Sequence, residues 1–146
     1  MKKIIIINGP NLNLLGNRET GIYGKNSLDE IKLQVERKCT ELGLEFFFCQ
    51  SNNEGELIDF VQSAINKFDG LIINPAAFTH TSVALLDALR TVDKPKIEIH
   101  LSNIYTREDY RKKSITSEGV NGLICGFGAL SYILGIEAIN KLINNK

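Results

Sequence analysis

Apolar runs of strand length alternate along the chain with apolar positions spaced at the helical period. Strands are predicted over Lys3–Ile7, Leu44–Gln50, Leu71–Asn74, Ile97–Leu101 and Val120–Cys125. The first, third and fifth are nearly continuous Ile/Leu/Val, the composition of a parallel sheet covered on both faces. Between strands one and two, Ser27 and Glu30 have capping-box spacing, and Leu28, Ile31, Val35 and Leu42 keep one face until Gly43 stops the helix. Ser51 and Glu54 repeat the spacing ahead of Leu57, Ile58, Val61, Ala64, Ile65 and Phe68. A third helix is predicted from about Ser82 to Arg90 and a last from about Leu130 to Ile143. This alternation predicts an α/β fold, a flavodoxin-like, three-layer, doubly wound sheet of five parallel strands in the order 2-1-3-4-5.

The 146 residues suit one domain, residues 1–146, long enough for its own core. With 43% apolar and 23% charged residues the chain falls outside the disordered and fibrous classes. Seventeen basic residues balance seventeen acidic ones, and no basic stripe with interleaved aromatics occurs, so nucleic acid is not an expected partner. Cys39, Cys49 and Cys125 are odd in number, form no CxxC pair and sit in apolar stretches, as buried reduced thiols would. The isoleucine run after Met1-Lys2-Lys3 is too short for a secretion signal, and a cytoplasmic location is expected. The longest uncharged run, Gly119 to Ile136, has the length of a membrane span. Its five glycines, with Asn121 and Ser131, read instead as strand, turn and helix start, so no membrane partner is expected.

Two connections are longer than the architecture needs, Asn8 to Asn26 and Ser102 to Gly119. Both are rich in Arg, Asn and Tyr, and long ordered connections are usually functional. In the predicted order the ends of strands 1, 3 and 4 meet at the topological switch point, where ligands bind. Those ends carry Asn8-Gly9-Pro10-Asn11, Asn74-Pro75 and His100-Leu101-Ser102, with no aspartate to suggest a magnesium or phospho-receiver site. Glu98 and His100 share a strand face, the arrangement of an oriented general acid and equally of a structural Glu–His hydrogen bond. A metal site would need a third ligand, and only the distant His80 offers one. Arg18 lies five residues before Tyr23 on a loop with glycines at 16, 21 and 24. A phenol is a poor base at neutral pH unless a cation stabilises its anion, and an exposed loop with an ordinary arginine fits the same residues. Arg107 and Arg111 share one face of a predicted short helix, as an anion clamp or as solvated charges. Asp87 sits in an apolar helix, facing solvent or a neighbouring subunit. Gly126-Phe127-Gly128-Ala129-Leu130-Ser131 nearly matches a dinucleotide fingerprint but lacks the later ribose-binding acid, and reads as a tight turn.

Over nearly its full length the chain resembles the type II 3-dehydroquinate dehydratase family. The residues that carry this are Gly9-Pro10-Asn11-Leu12-Asn13-Leu14-Leu15-Gly16, Arg18-Glu19, Tyr23-Gly24, Asn74-Pro75-Ala76-Ala77-Phe78-Thr79-His80-Thr81-Ser82, Glu98-Ile99-His100-Leu101-Ser102-Asn103 and Cys125-Gly126-Phe127-Gly128. The resemblance implies elimination of water from 3-dehydroquinate to give 3-dehydroshikimate, a step toward chorismate and the aromatic amino acids, without metal or cofactor. It implies Tyr23 as base, helped by Arg18, and Asn11 holding a water that stabilises the enolate. His100, oriented by Glu98, becomes the acid. Asn74, Leu101 and Ser102 would bind around the substrate carboxylate, His80 and Arg111 the ring hydroxyls, and Arg107 would flank the tyrosine loop. Asp87 would enter from a neighbouring subunit of a homododecamer built as a tetramer of trimers. Thr20 and Ser131 depart from residues common in that family, and neither carries a proposed role. A flavin- or nucleotide-binding module on the same fold predicts retained cofactor absorbance. A non-enzymatic oligomeric signalling domain is disfavoured by the missing acidic pocket and the two long polar loops.

Overall fold

The computed structural model describes residues 1–17 and 19–145. Five strands, β1 (Lys3–Asn8), β2 (Glu45–Gln50), β3 (Gly70–Asn74), β4 (Lys96–His100) and β5 (Gly122–Cys125), pair in parallel in the order β2-β1-β3-β4-β5. The expected order therefore holds, and the strand bounds shift by no more than two residues. A short helix α1 (Thr20–Tyr23) precedes α2 (Leu28–Leu42), α3 (Glu54–Lys67), α4 (Val83–Arg90) and α5 (Leu130–Asn144).

Alternation along β1 splits the core into two layers. Ile4 and Ile6 face α2 and α5, where Ile31, Val35, Cys39, Ile136 and Ile139 are buried with them. Ile5 and Ile7 face α3 and α4, against Leu57, Val61, Ala64, Leu85 and Leu89. Each such side chain contributes about 1.5–3 kcal/mol on leaving water, so the apolar run of β1 fixes which helices lie on which face. β5 departs from the expectation of burial on both faces. It is the sheet edge, and each of its residues is half-buried.

The helix boundaries follow local chemistry. Ser27 Oγ accepts from Glu30 N at 3.2 Å, and Gly43 closes α2 at φ 69°, a conformation that glycine adopts without a Cβ penalty. The Glu30 carboxylate faces the Asn26 amide rather than returning to the cap, so only half of the expected box forms. The cap of α3 is Asn53, whose Oδ1 accepts from Glu56 N at 3.0 Å, and not Ser51. Asn53 and Glu56 have the same three-residue spacing, and the Ser51 hydroxyl accepts from Asn53 N, supporting the cap from outside the helix. The uncharged run becomes β5, a turn and the start of α5, and among the described residues no helix is long and apolar enough to cross a membrane. Cys39 and Cys49 are buried, and burial pushes their thiols up to about 11 and about 12, with the Glu56 charge adding to the second. They are unreactive core residues at neutral pH.

Register brings the polar strand ends into line. Asn8 pairs with Gln50 on one side and with Asn74 on the other, and Glu98 lies beside Ile73. Gly9 continues β1 and donates its N–H to Asn74 O at 2.8 Å. A Cβ at Gly9 would sit 2.6 Å from Pro75 O and 2.7 Å from Pro75 C, both backbone atoms. Glycine is therefore required for the two chain exits to touch. Gly9→Ala is expected to lose about 1–3 kcal/mol of stability in urea unfolding through this overlap. Gly21→Ala, where a Cβ meets nothing within 4 Å, should stay within about 0.5 kcal/mol.

Candidate active site

The carboxyl ends of β1, β3 and β4 open into a cavity lined by Asn11, Tyr23, Asn74, His80, His100, Leu101, Ser102, Arg107 and Arg111. These residues come from the ends of β1, β3 and β4 and from the two long connections. Glu98 stands behind His100, outside the lining. Asp87 is exposed on α4 and is not part of its own chain's cavity. Arg18 lies outside the described residues.

Glu98 has no exposure to solvent, and its Oε2 is 2.6 Å from His100 Nε2. Thr116 donates to Oε1 at 2.6 Å, and Thr79 and Ser114 donate to Oε2 at 2.6 and 3.2 Å. Burial pushes the Glu98 carboxyl upward. The hydrogen bond and charge of His100, with the Thr116 and Thr79 hydroxyls, outweigh it and hold the group below the usual carboxylate range. An ionised carboxylate only accepts, so His100 Nε2 carries a hydrogen and Nδ1 is the ring nitrogen left for the cavity. Of the two sequence alternatives, the pair is thus a hydrogen-bonded dyad whose imidazole also lines the cavity. Thr79, Ser114 and Thr116 were not expected from sequence. Only Thr79 lies in a recognisable motif, and hydroxyls carry no charge pattern that would mark the other two.

His80 Nδ1 lies 2.8 Å from Lys113 O, a carbonyl that only accepts, so Nδ1 donates and Nε2 is an acceptor when the ring is neutral. Burial favours that neutral form, lowering the His80 pKa against the Lys113 hydrogen bond, with the His100 and Arg111 charges acting in the same direction as burial. The Arg107 guanidinium carbon lies 5.0 Å from the Tyr23 ring centroid, a cation–π contact, and Arg107 Nη1 reaches Ser102 Oγ at 3.4 Å. Arg111 Nε lies 2.7 Å from Glu108. Burial opposes the Arg111 charge, but Tyr23 and Glu108 more than offset it. The expected short helix over both arginines does not form. Two 3-10 turns, Ile104–Thr106 and Asp109–Arg111, are separated at Arg107 and Glu108 by extended backbone, and the Asn103 side chain caps the start of the first turn.

Asn11 is left-handed at φ 69°, and its N–H donates to Asn52 Oδ1 at 2.9 Å. Gln50 Nε2 holds the same turn through Gly9 O at 3.1 Å. Gly126 N donates to His100 O at 3.3 Å and Gly128 N to Leu101 O at 2.9 Å, so the glycine turn is a brace for the end of β4. The tight-turn reading of that motif holds. Among the described residues no three His, Cys, Asp or Glu side chains are grouped to hold a metal ion. What converges is an imidazole backed by a buried carboxylate, a phenol under a guanidinium and a second arginine. This is equipment for proton transfer on an anionic substrate.

The sequence model for dehydroquinase class II matches residues 2–140. The chain belongs to the class II dehydroquinase family. Relatives named 3-dehydroquinate dehydratase include one from Clostridium acetobutylicum, 46% identical over 142 residues that cover 97% of this chain and 99% of that one. Another, from Prochlorococcus marinus, is 52% identical over 136 residues, covering 93% and 94% of the two chains. The crystal structure of the type II dehydroquinase from Butyrivibrio crossotus superposes with a TM-score of 0.93 at 43% identity, over 95% of this chain and 97% of that one. The class II dehydroquinase match covers β1 through most of α5, and so every segment lining the cavity.

The Glu98 cluster makes a stability prediction with a definite sign. A carboxyl held below its unfolded value of about 4.3 adds stability that is fully present above that pH and is lost as pH falls through the folded value. Thr116→Val removes one donor to the charged form, at a cost of about 1.5–3 kcal/mol at pH 7. That cost should shrink as Glu98 protonates in acid, and urea unfolding of both proteins at pH 7 and pH 3 checks it.

Proposed function

We propose that this chain is a 3-dehydroquinate dehydratase that eliminates water by way of an enolate, and that residues 1–146 form its catalytic domain. The observation that carries the reading is the Glu98–His100 dyad facing the same cavity as Tyr23 and two arginines, in a chain about half identical to relatives bearing that name. Tyr23 removes the C2 proton beside the ketone, and the electron pair moves into the C3 enolate. A water held by Asn11 stabilises the enolate oxygen. The enolate then re-forms the ketone, the C1–C2 double bond closes, and the C1 hydroxyl leaves as water on taking a proton from His100. Glu98 orients that imidazole, and Arg18 assists the tyrosine.

Asn74, Leu101 and Ser102 hold the substrate carboxylate, and His80 and Arg111 bind ring hydroxyls. The neutral His80, with Nε2 as acceptor, suits a hydroxyl better than an anion. The assigned roles leave no step for a metal or cofactor. The enzyme acts in the cytoplasm, in the shikimate route to chorismate. It works as a dodecamer, a tetramer of trimers, in which Asp87 reaches a neighbour's cavity. Exposure of Asp87 on α4, outside its own cavity, supports that placement.

The deciding experiment adds 3-dehydroquinate to protein held in a chelator and follows enone absorbance. Full activity is expected, and a rate that returns only with a divalent ion would overturn the assignment. Tyr23→Phe deletes one oxygen and should lower kcat by at least about 10²–10⁴-fold with substrate binding retained. Near-normal turnover would place the base elsewhere. Asp87→Ala and His100→Ala, each nearly inactive alone, should regain activity when refolded together, because mixed trimers restore some intact sites. Equal inactivity of the mixture would refute the shared site.

A further inference from the structure

Behind the cavity a second buried polar chain runs to Asn74 from Asn8 and Tyr132, two residues given no role in the steps above. Asn8, Asn74 and Tyr132 have relative exposures of 0%, 2% and 1%. Asn8 Nδ2 donates to Cys49 O at 2.9 Å. Tyr132 OH donates to Asn8 Oδ1 at 2.6 Å. Asn74 Nδ2 donates to Tyr132 OH at 3.2 Å, and Asn74 Oδ1 accepts from Ala76 N at 3.1 Å.

The direction of this chain is fixed at both ends. Cys49 contributes a carbonyl, which only accepts, so the Asn8 atom facing it is the NH₂ and its Oδ1 is turned to Tyr132. The tyrosine has one hydrogen, spent on Asn8, and can then only accept from Asn74. At the far end Ala76 offers an N–H, which only donates, so Asn74 turns its oxygen there. Both constraints select the same amide orientation. Asn74 Oδ1 is occupied, one Nδ2 hydrogen goes to Tyr132, and the other has no protein acceptor among the described residues at a position lining the cavity. Ala76 adds a reason for the anchor, since its φ of +52° is left-handed for a residue with a Cβ and needs its surroundings to hold it.

We propose that Tyr132 and Asn8 are positioning residues that fix the polarity of the Asn74 amide, so that it presents N–H rather than C=O to an anionic substrate. The proposal rests on the reading of Asn74 as a carboxylate-binding residue. Without the phenol oxygen the amide is oriented by the Ala76 N–H alone, on a residue whose backbone is itself left-handed. Without Asn8 the Tyr132 hydrogen is released to donate toward Asn74, which favours the reversed amide. A rotated amide turns its oxygen toward the carboxylate, weakening ground state and transition state together, and so acts on KM.

The test compares Tyr132→Phe, Asn8→Ala, Asn74→Ala and the double variant Tyr132→Phe/Asn74→Ala in steady-state kinetics with 3-dehydroquinate, alongside thermal unfolding. Tyr132→Phe and Asn8→Ala are each expected to raise KM about tenfold, the loss of roughly one hydrogen bond to a charged group, with kcat within about threefold. Tyr132→Phe should add little further on the Asn74→Ala background, as residues acting through one group are not additive. Asn74→Ala raising KM while Tyr132→Phe lowers only thermal stability would overturn the proposal and leave the Asn74 reading intact. An unchanged KM in Asn74→Ala would refute that reading and the proposal with it. If Tyr132→Phe does not fold, Asn8→Ala, which retains both the tyrosine and the amide, gives the same decision.

Discussion

An ionised carboxylate without solvent contact must find its hydrogen bonds inside the protein, and in this chain that demand is concentrated on Glu98. Four donors meet it, His100, Thr79, Ser114 and Thr116, from β4, the turn after β3 and the long connection before β5. Segments that share little apolar surface are thereby tied to one point. Ile115 N donates to Thr79 O at 2.6 Å, so the backbone closes over the same charge. The imidazole orientation that the chemistry needs follows from this burial, and so does the path of the connection carrying Arg107 and Arg111. A neutral residue in place of Glu98 would remove the charge on which these donors converge, leaving the bonds of Thr79 to Ser114 and Thr116.

The rest of the site repeats this logic with weaker groups. Asn11 is held through Asn52, His80 through the Lys113 carbonyl, and the end of β4 through the Gly126–Gly128 turn. Each cavity-lining group just named is held by a hydrogen bond to a residue outside the lining. Main-chain carbonyls and N–H groups supply several of these partners, and they are the least ambiguous reference a side chain can have. Geometry suited to proton transfer thus depends on residues that never meet the substrate.

The sheet order, the three-layer architecture and the meeting of three strand ends were legible in the chain. They rest on period and on apolar mass, as in the unbroken isoleucine run of Ile4 to Ile7. Glu98 and His100 were legible as a pair because two residues apart on a strand means one face. The hydroxyls of Ser114 and Thr116 were not, since they reach Glu98 from a connection without period, across 16 and 18 residues. The α3 cap was placed two residues early because Ser51 and Asn53 satisfy the same rule with different glutamates. The break at Arg107 and Glu108 carried no sign in the chain, since neither residue is glycine or proline. Tyr132 was not singled out in the sequence, and it is buried core. Its one polar atom, 124 residues from Asn8 in the chain, gave no sign in the sequence of what it touches.

That separation has a consequence for the order in which the molecule is made. All five strands and three of the four long helices precede Tyr132, so a growing chain can form much of the sheet while the polar ends of β1 and β3 still lack their link. Until α5 leaves the ribosome and docks, Asn8 and Asn74 carry unsatisfied groups beside an open apolar layer whose Ile136, Ile139 and Ile143 have not yet arrived. The fifth helix in chain order therefore closes the core and completes the polar link behind the cavity in a single docking event. Cavity geometry is acquired late, as a result of finishing the fold rather than as an early local element.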